Sequence, residues 1–169
     1  FHFTARKGAV CPDLHNEDCD YWLKYTAPKY PCDIRGLALH KLYALDYKDL
    51  SSLLLNTWKE SDEYMLRLQC LHLLEHYADG NYEKVLKDGA DDPYEFIRRK
   101  SAYFMGKVGT PEMAAELAEL YLRDYNSLRV AQNVGFVCAH FPDSLFLKEF
   151  EKKFAKADWI YDRELFHAK

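Results

Sequence analysis

Residues 62–74, Asp62-Glu63-Tyr64-Met65-Leu66-Arg67-Leu68-Gln69-Cys70-Leu71-His72-Leu73-Leu74, decide the fold together with their counterpart at 92–105, Asp92-Pro93-Tyr94-Glu95-Phe96-Ile97-Arg98-Arg99-Lys100-Ser101-Ala102-Tyr103-Phe104-Met105. In each, an aspartate stands five or six residues ahead of an arginine, and apolar side chains then return at helical spacing. The pair of a branched apolar residue and an arginine occurs four times, as Ile34-Arg35, Leu66-Arg67, Ile97-Arg98 and Leu128-Arg129, so the arginines are spaced by 32, 31 and 31 residues. A fixed period of about 20 to 50 residues is the mark of stacked supersecondary units. Three residues past each arginine stand Ala38, Cys70, Ser101 and Gln132. Most are small, as close approach between neighbouring helices requires.

Working outward, a second helical segment precedes each later arginine: Leu50 to Trp58, Tyr82 to Leu86, and Pro111 to Leu122. Thr110 before Pro111 is a natural N-cap, because proline lacks only an amide proton that the first helical turn leaves unpaired anyway. Asp92 before Pro93 predicts a similar cap for the third arginine helix, with Glu95 at the positive end of its dipole. Gly80, Gly89 and Gly109 mark ends or turns. The length of 169 residues fits a single domain able to bury its own core. A hydrophobic fraction of 49% and a charged fraction of 30% belong to a folded chain rather than a disordered one.

The aspartate in the turn, the apolar-arginine pair, the small residue and the following leucine resemble the second helix of a HEAT repeat over roughly residues 30 to 142. Asp62 and Asp124 lie five residues before their arginines and Asp92 six. The resemblance implies an all-α fold, a short right-handed α-solenoid of antiparallel helix pairs, HEAT/armadillo-like, with an N-terminal capping segment. Residues 1–31 form that irregular cap, 32–142 the repeats, and 143–169 capping helices. In that family the aspartate and arginine form a ladder inside the stack, which gives Arg35, Arg67, Arg98 and Arg129 a structural role. The first unit departs from the pattern, since its nearest acid, Asp33, is only two residues before Arg35.

Solenoids bind through the face lined by one helix of each pair. At about 100° per residue, positions one, five and nine past each arginine point away from the core. Among these are His40, Leu68, His72, His76, Arg99, Tyr103 and Lys107, which form the candidate strip. A cationic, aromatic and titratable strip on a protein of net charge −4 suits another protein or an acidic peptide. The same net charge argues against nucleic acid, including the basic face used by the HEAT-like alkylpurine glycosylases. No stretch reaches the roughly 20 apolar residues that a membrane span needs.

A different chemistry is offered by His72 and His76, whose spacing of four sets two imidazoles on one helix face. The surrounding sequence is His-Leu-Leu-Glu-His, not the His-Glu-x-x-His of zinc peptidases, and no His-Glu dipeptide of the HEAT-type hydroxylases occurs. No phosphate loop, nucleophile elbow or nucleotide fingerprint is present either. Near the N-terminus, Cys11, His15, Cys19 and Cys32 offer a zinc site without a Cys-x2-Cys knuckle; a disulfide or unpaired thiols are the alternatives. Cys70 and Cys138 are expected to be neither ligands nor disulfide partners. Asn16, Glu17, Asp18 and Asp20 read as a solvated acidic loop, and Phe1, Phe3, Tyr21, Trp22, Tyr25 and Tyr30 as packing over the first helix pair.

The sequence therefore supports a non-catalytic protein-binding or scaffold module with a concave helix face and no cofactor. The alternatives are a metal-dependent enzyme or sensor using His40, His72 and His76, and an accessory helical domain of a larger secreted protein. The first residue is Phe rather than Met, which reads as a processed product or a piece of a larger chain. Export or a periplasmic location is expected if the N-terminal cysteines are disulfide-bonded, and a cytoplasmic one otherwise.

Overall fold

The computed structural model describes residues 11–77, 80–124, 127–138 and 143–154. Among these residues the chain is all-helical, with no strand. In order the helices are α1 Cys19–Tyr25, α2 Cys32–Ala44, α3 Leu50–Glu60, α4 Tyr64–Leu74, α5 Gly80–Ala90, α6 Glu95–Val108, α7 Pro111–Arg123, α8 Leu128–Cys138 and α9 Asp143–Phe154; a single 3-10 turn, Glu75–Tyr77, follows α4. Two compact units divide the chain, Phe1–Leu73 and Leu74–Lys169. Phe1 and Phe3, and residues 155–169 of the expected C-terminal cap, lie outside the described residues.

In the first unit the segment expected to be irregular contains α1, which packs on α2. Its acid-rich approach is a pair of capping turns. The Asn16 side-chain oxygen accepts from the Asp18 amide at 2.8 Å, and Asp18, the N-cap, accepts from the Asp20 amide at 3.0 Å. Trp22 is fully buried, and its indole N–H donates to the Asn16 carbonyl at 2.7 Å. Lys41 of α2 donates to the Leu14 carbonyl at 2.7 Å while its ammonium lies 5.6 Å from the Trp22 ring. The chain ahead of α1 is thus folded over one indole and tied down at both edges. Ile34, Leu39 and Leu42 of α2, Leu50, Leu54 and Trp58 of α3, and Leu66 and Leu71 of α4 supply the apolar interior. At Gly36 the helices α2 and α4 approach so closely that an added Cβ would lie 3.3 Å from Gln69 Cγ.

In the second unit every helix from α5 to α7 touches its successor and the helix after that: α5 meets α6 and α7, α6 meets α7 and α8, and α7 meets α8 and α9. Leu86, Ile97, Phe104, Met105, Met113, Leu117, Val130 and Val134 are buried between them. Gly109 ends α6 with φ 70°, a left-handed conformation natural to glycine, and its amide closes on the Met105 carbonyl at 3.0 Å. Thr110 caps α7 as its sequence predicts, accepting from the Met113 amide at 3.3 Å ahead of Pro111. The other end of α6 differs from expectation. The helix begins at Glu95, and Asp92 instead accepts from the Tyr94 amide at 2.8 Å, closing a turn before it. Pro93 has no amide proton and holds the residue before it out of helical conformation, so the cap-like bond forms early.

Three of the four repeated arginines fasten the turn ahead of their own helix. Arg35 Nε donates to the Thr26 carbonyl at 3.0 Å and Arg67 Nη1 to the Ser61 carbonyl at 2.8 Å. Arg98 Nη1 donates to the carbonyls of Asp92 and Pro93 at 2.8 and 3.0 Å, while its Nε meets the Asp124 carboxylate at 2.5 Å. Asp124 stands five residues before Arg129, so this pair joins the third and fourth arginine-centred stretches of the sequence. Ala38, Cys70 and Ser101, three residues past those arginines, are fully buried. The fourth unit departs: Arg129 and Gln132 are both exposed, and Val130 and Val134 carry the packing.

Candidate binding face

Of the seven residues on the expected strip, His40, Leu68 and His72 belong to the first compact unit, and His76, Arg99, Tyr103 and Lys107 to the second. In the first, His40 is exposed with its Nε2 2.5 Å from Gln69 Oε1, and His72 is half-buried. Leu68 does not join the strip. It is only 7% exposed, because Leu66, Leu68, Leu71 and Leu73 ring α4 with apolar side chains and draw this position into packing.

The second unit gathers its residues along α6. Phe96, Arg99, Lys100, Tyr103 and Lys107 follow one another at spacings of one to four residues, which on a helix makes a single stripe. The Arg99 guanidinium lies 4.7 Å from the Phe96 ring centroid. Lys100 and Lys107 approach the Tyr103 ring at 5.8 and 5.1 Å, and Lys107 also lies 5.4 Å from the Phe104 ring. Phe104 is buried and meets Tyr103 and Tyr82 edge to face, so the interior holds the stripe in place. Cations held over aromatic faces keep their charge while losing little side-chain freedom on binding.

Glu75, on the 3-10 turn, completes this end of the stripe. Its Oε1 stands 2.6 Å from Lys107 Nζ, with the two side chains 30% and 47% exposed. The carboxylate beside it raises the Lys107 ammonium above the ordinary lysine range. Buried Tyr82 is pushed up first by burial and then by the nearby Glu75 charge. Among the described residues Arg99 and Lys100 make no ion pair. His76 is exposed on the same turn. Sequence reasoning missed Phe96, Lys100 and Glu75. Glu75 was findable, since it lies 32 residues before Lys107, one repeat away, with the opposite charge.

The histidine and cysteine constellations are not assembled. Among the described residues no group of three His, Cys, Asp or Glu side chains is placed to hold a metal ion, whether from Cys11, His15, Cys19 and Cys32 or from His40, His72 and His76. Cys11, Cys19, Cys32 and Cys70 are free thiols, and the Cys138 side chain lies outside the described residues. Cys11 is exposed, while burial pushes the Cys70 thiol up to about 12. Since the thiolate is the reactive form, native Cys70 should alkylate at least about a hundredfold more slowly than Cys11. Timed iodoacetamide labelling read by peptide mass spectrometry checks this; equal rates would mean that α4 opens freely.

Phenylalanine and tyrosine faces carrying fixed cations are equipped to bind carboxylates, since an ammonium or guanidinium donor makes a stronger hydrogen bond to a charged acceptor than to a neutral one. Comparison with protein-family models, with curated proteins and with solved structures finds no match to this chain.

Proposed function

We propose that this chain is a HEAT-like helical-repeat module, a short α-solenoid, that acts by binding an acidic segment of another protein rather than by catalysis. The stepwise packing of α5, α6 and α7, each on the next helix and the next but one, supports the repeat reading. So does the shared task of Arg35, Arg67 and Arg98. The observation that carries the function is the α6 stripe: three cations, Arg99, Lys100 and Lys107, braced on aromatic rings in a protein of net charge −4. Local positive charge against an opposite overall charge selects where, as well as what, an acidic partner touches.

Anisotropy of a short fluorescein-labelled oligoglutamate peptide tests the reading. Wild-type protein is expected to bind, with affinity falling as salt screens the contact. Reversing two charges, Arg99→Glu with Lys100→Glu, is expected to weaken binding by about tenfold or more. Equal affinity in wild type and double variant would remove α6 from the interaction.

A further inference from the structure

We propose that Glu75 is a built-in occupant of the stripe, its carboxylate filling the seat on Lys107 that a partner's carboxylate takes by displacing it. The inference rests on the reading of α6 as an acid-binding face and deepens it. The seat is defined on three sides: Lys107 Nζ has the Tyr103 ring centroid at 5.1 Å, the Phe104 ring at 5.4 Å and Glu75 Oε1 at 2.6 Å. The rings belong to α6 itself and Phe104 is buried, so the lysine is presented in a fixed direction whether or not Glu75 is there.

Two properties make Glu75 exchangeable. It lies on a single 3-10 turn rather than inside an α-helix, and its side chain is 30% exposed. An exposed ion pair of this kind contributes little to stability, about 0 to 1 kcal/mol, so an incoming carboxylate displaces it at small cost. Arg99 and Lys100, which make no ion pair among the described residues, offer the first point of attachment. Lys107 lies eight residues further along α6, about 12 Å at 1.5 Å per residue. A partner in extended conformation covers that span in about four residues. The partner class is thus an extended acidic peptide segment with carboxylates about four residues apart, one docking on Arg99 and Lys100 and the other replacing Glu75.

A double-mutant cycle on the whole chain with the labelled oligoglutamate peptide tests the seat. Glu75→Gln is expected to tighten binding about three- to fivefold, Lys107→Met to weaken it, and Glu75→Gln to give no gain when Lys107 is already Met. Circular dichroism melts confirm that each variant is folded. The same gain with and without Lys107 would show a general charge effect and overturn the proposal, while leaving the acid-binding reading intact. No binding by wild type and Glu75→Gln alike defeats that reading, and the proposal with it. Tighter binding of a labelled oligouridine than of the peptide would overturn the assignment of a carboxylate partner.

Discussion

Replacing Arg98 by methionine should lower the free energy of unfolding by about 3 kcal/mol, whereas the same change at Arg129 should cost less than about 0.5 kcal/mol. The two arginines occupy the same place in the repeat and differ only in what surrounds them. Arg98 and Asp124 are 18% and 13% exposed, and loss of the guanidinium leaves a mostly buried carboxylate with a weaker cation. Arg123 Nε, 3.7 Å from the other Asp124 oxygen, compensates in part and keeps the figure at the lower end for a broken buried pair. The carbonyls of Asp92 and Pro93 lose a donor as well. Arg129 is exposed. Urea denaturation of both variants decides the matter, and equal losses would show that the repeat position, not the local geometry, sets the energy.

Trp22→Ala should cost about 3 to 5 kcal/mol, the range for removing a buried aromatic side chain. Trp22 is the largest of the fully buried side chains among the described residues, and it also carries the hydrogen bond to the Asn16 carbonyl and the cation–π contact of Lys41. Trp22→Phe keeps an aromatic ring and loses the N–H donor, so its cost should be smaller, about 1 to 2 kcal/mol. Thermal melts followed by circular dichroism separate the two contributions. If phenylalanine is as damaging as alanine, the indole hydrogen bond matters more than the volume.

The sequence carries the helices and their packed positions well because both depend on local periodicity. Ala38, Cys70 and Ser101 could be assigned to the interior from spacing alone, and Thr110 to a cap from its neighbour Pro111. Asp92 misled because a cap and a turn closed one step early use the same residue types, and only the missing amide of Pro93 separates them. Leu68 misled for another reason. A helical wheel assumes one narrow buried side, and α4 is buried over most of its circumference, leaving only the side of Met65, Gln69 and His72 open or partly covered. On the stripe, the arginine register located Arg99, Tyr103 and Lys107, since these lie on one helix. It gave no account of Glu75, Phe96 or Lys100, whose part depends on which side chains meet in space. The N-terminal cysteines illustrate the same limit: Cys11, His15, Cys19 and Cys32 are acceptable ligands by type, but the turns before α1, α1 itself and the start of α2 place them without forming a metal-binding group among the described residues.

The arginine fastening has a consequence for how such a chain can change its length. Each of Arg67 and Arg98 bonds to a carbonyl only five or six residues before it, so the bend and the group that secures it are encoded in one short run. A duplication or deletion of a whole 31-residue block would carry its own clasp with it. New copies would need to match their neighbours at the small buried position and the arginine–aspartate pair, but not to reinvent the corner. On the proposed repeat reading, growth by copying whole blocks asks little of this chain, and the exposed positions of Arg129 and Gln132 show where a copy can depart from the pattern without disturbing the interior.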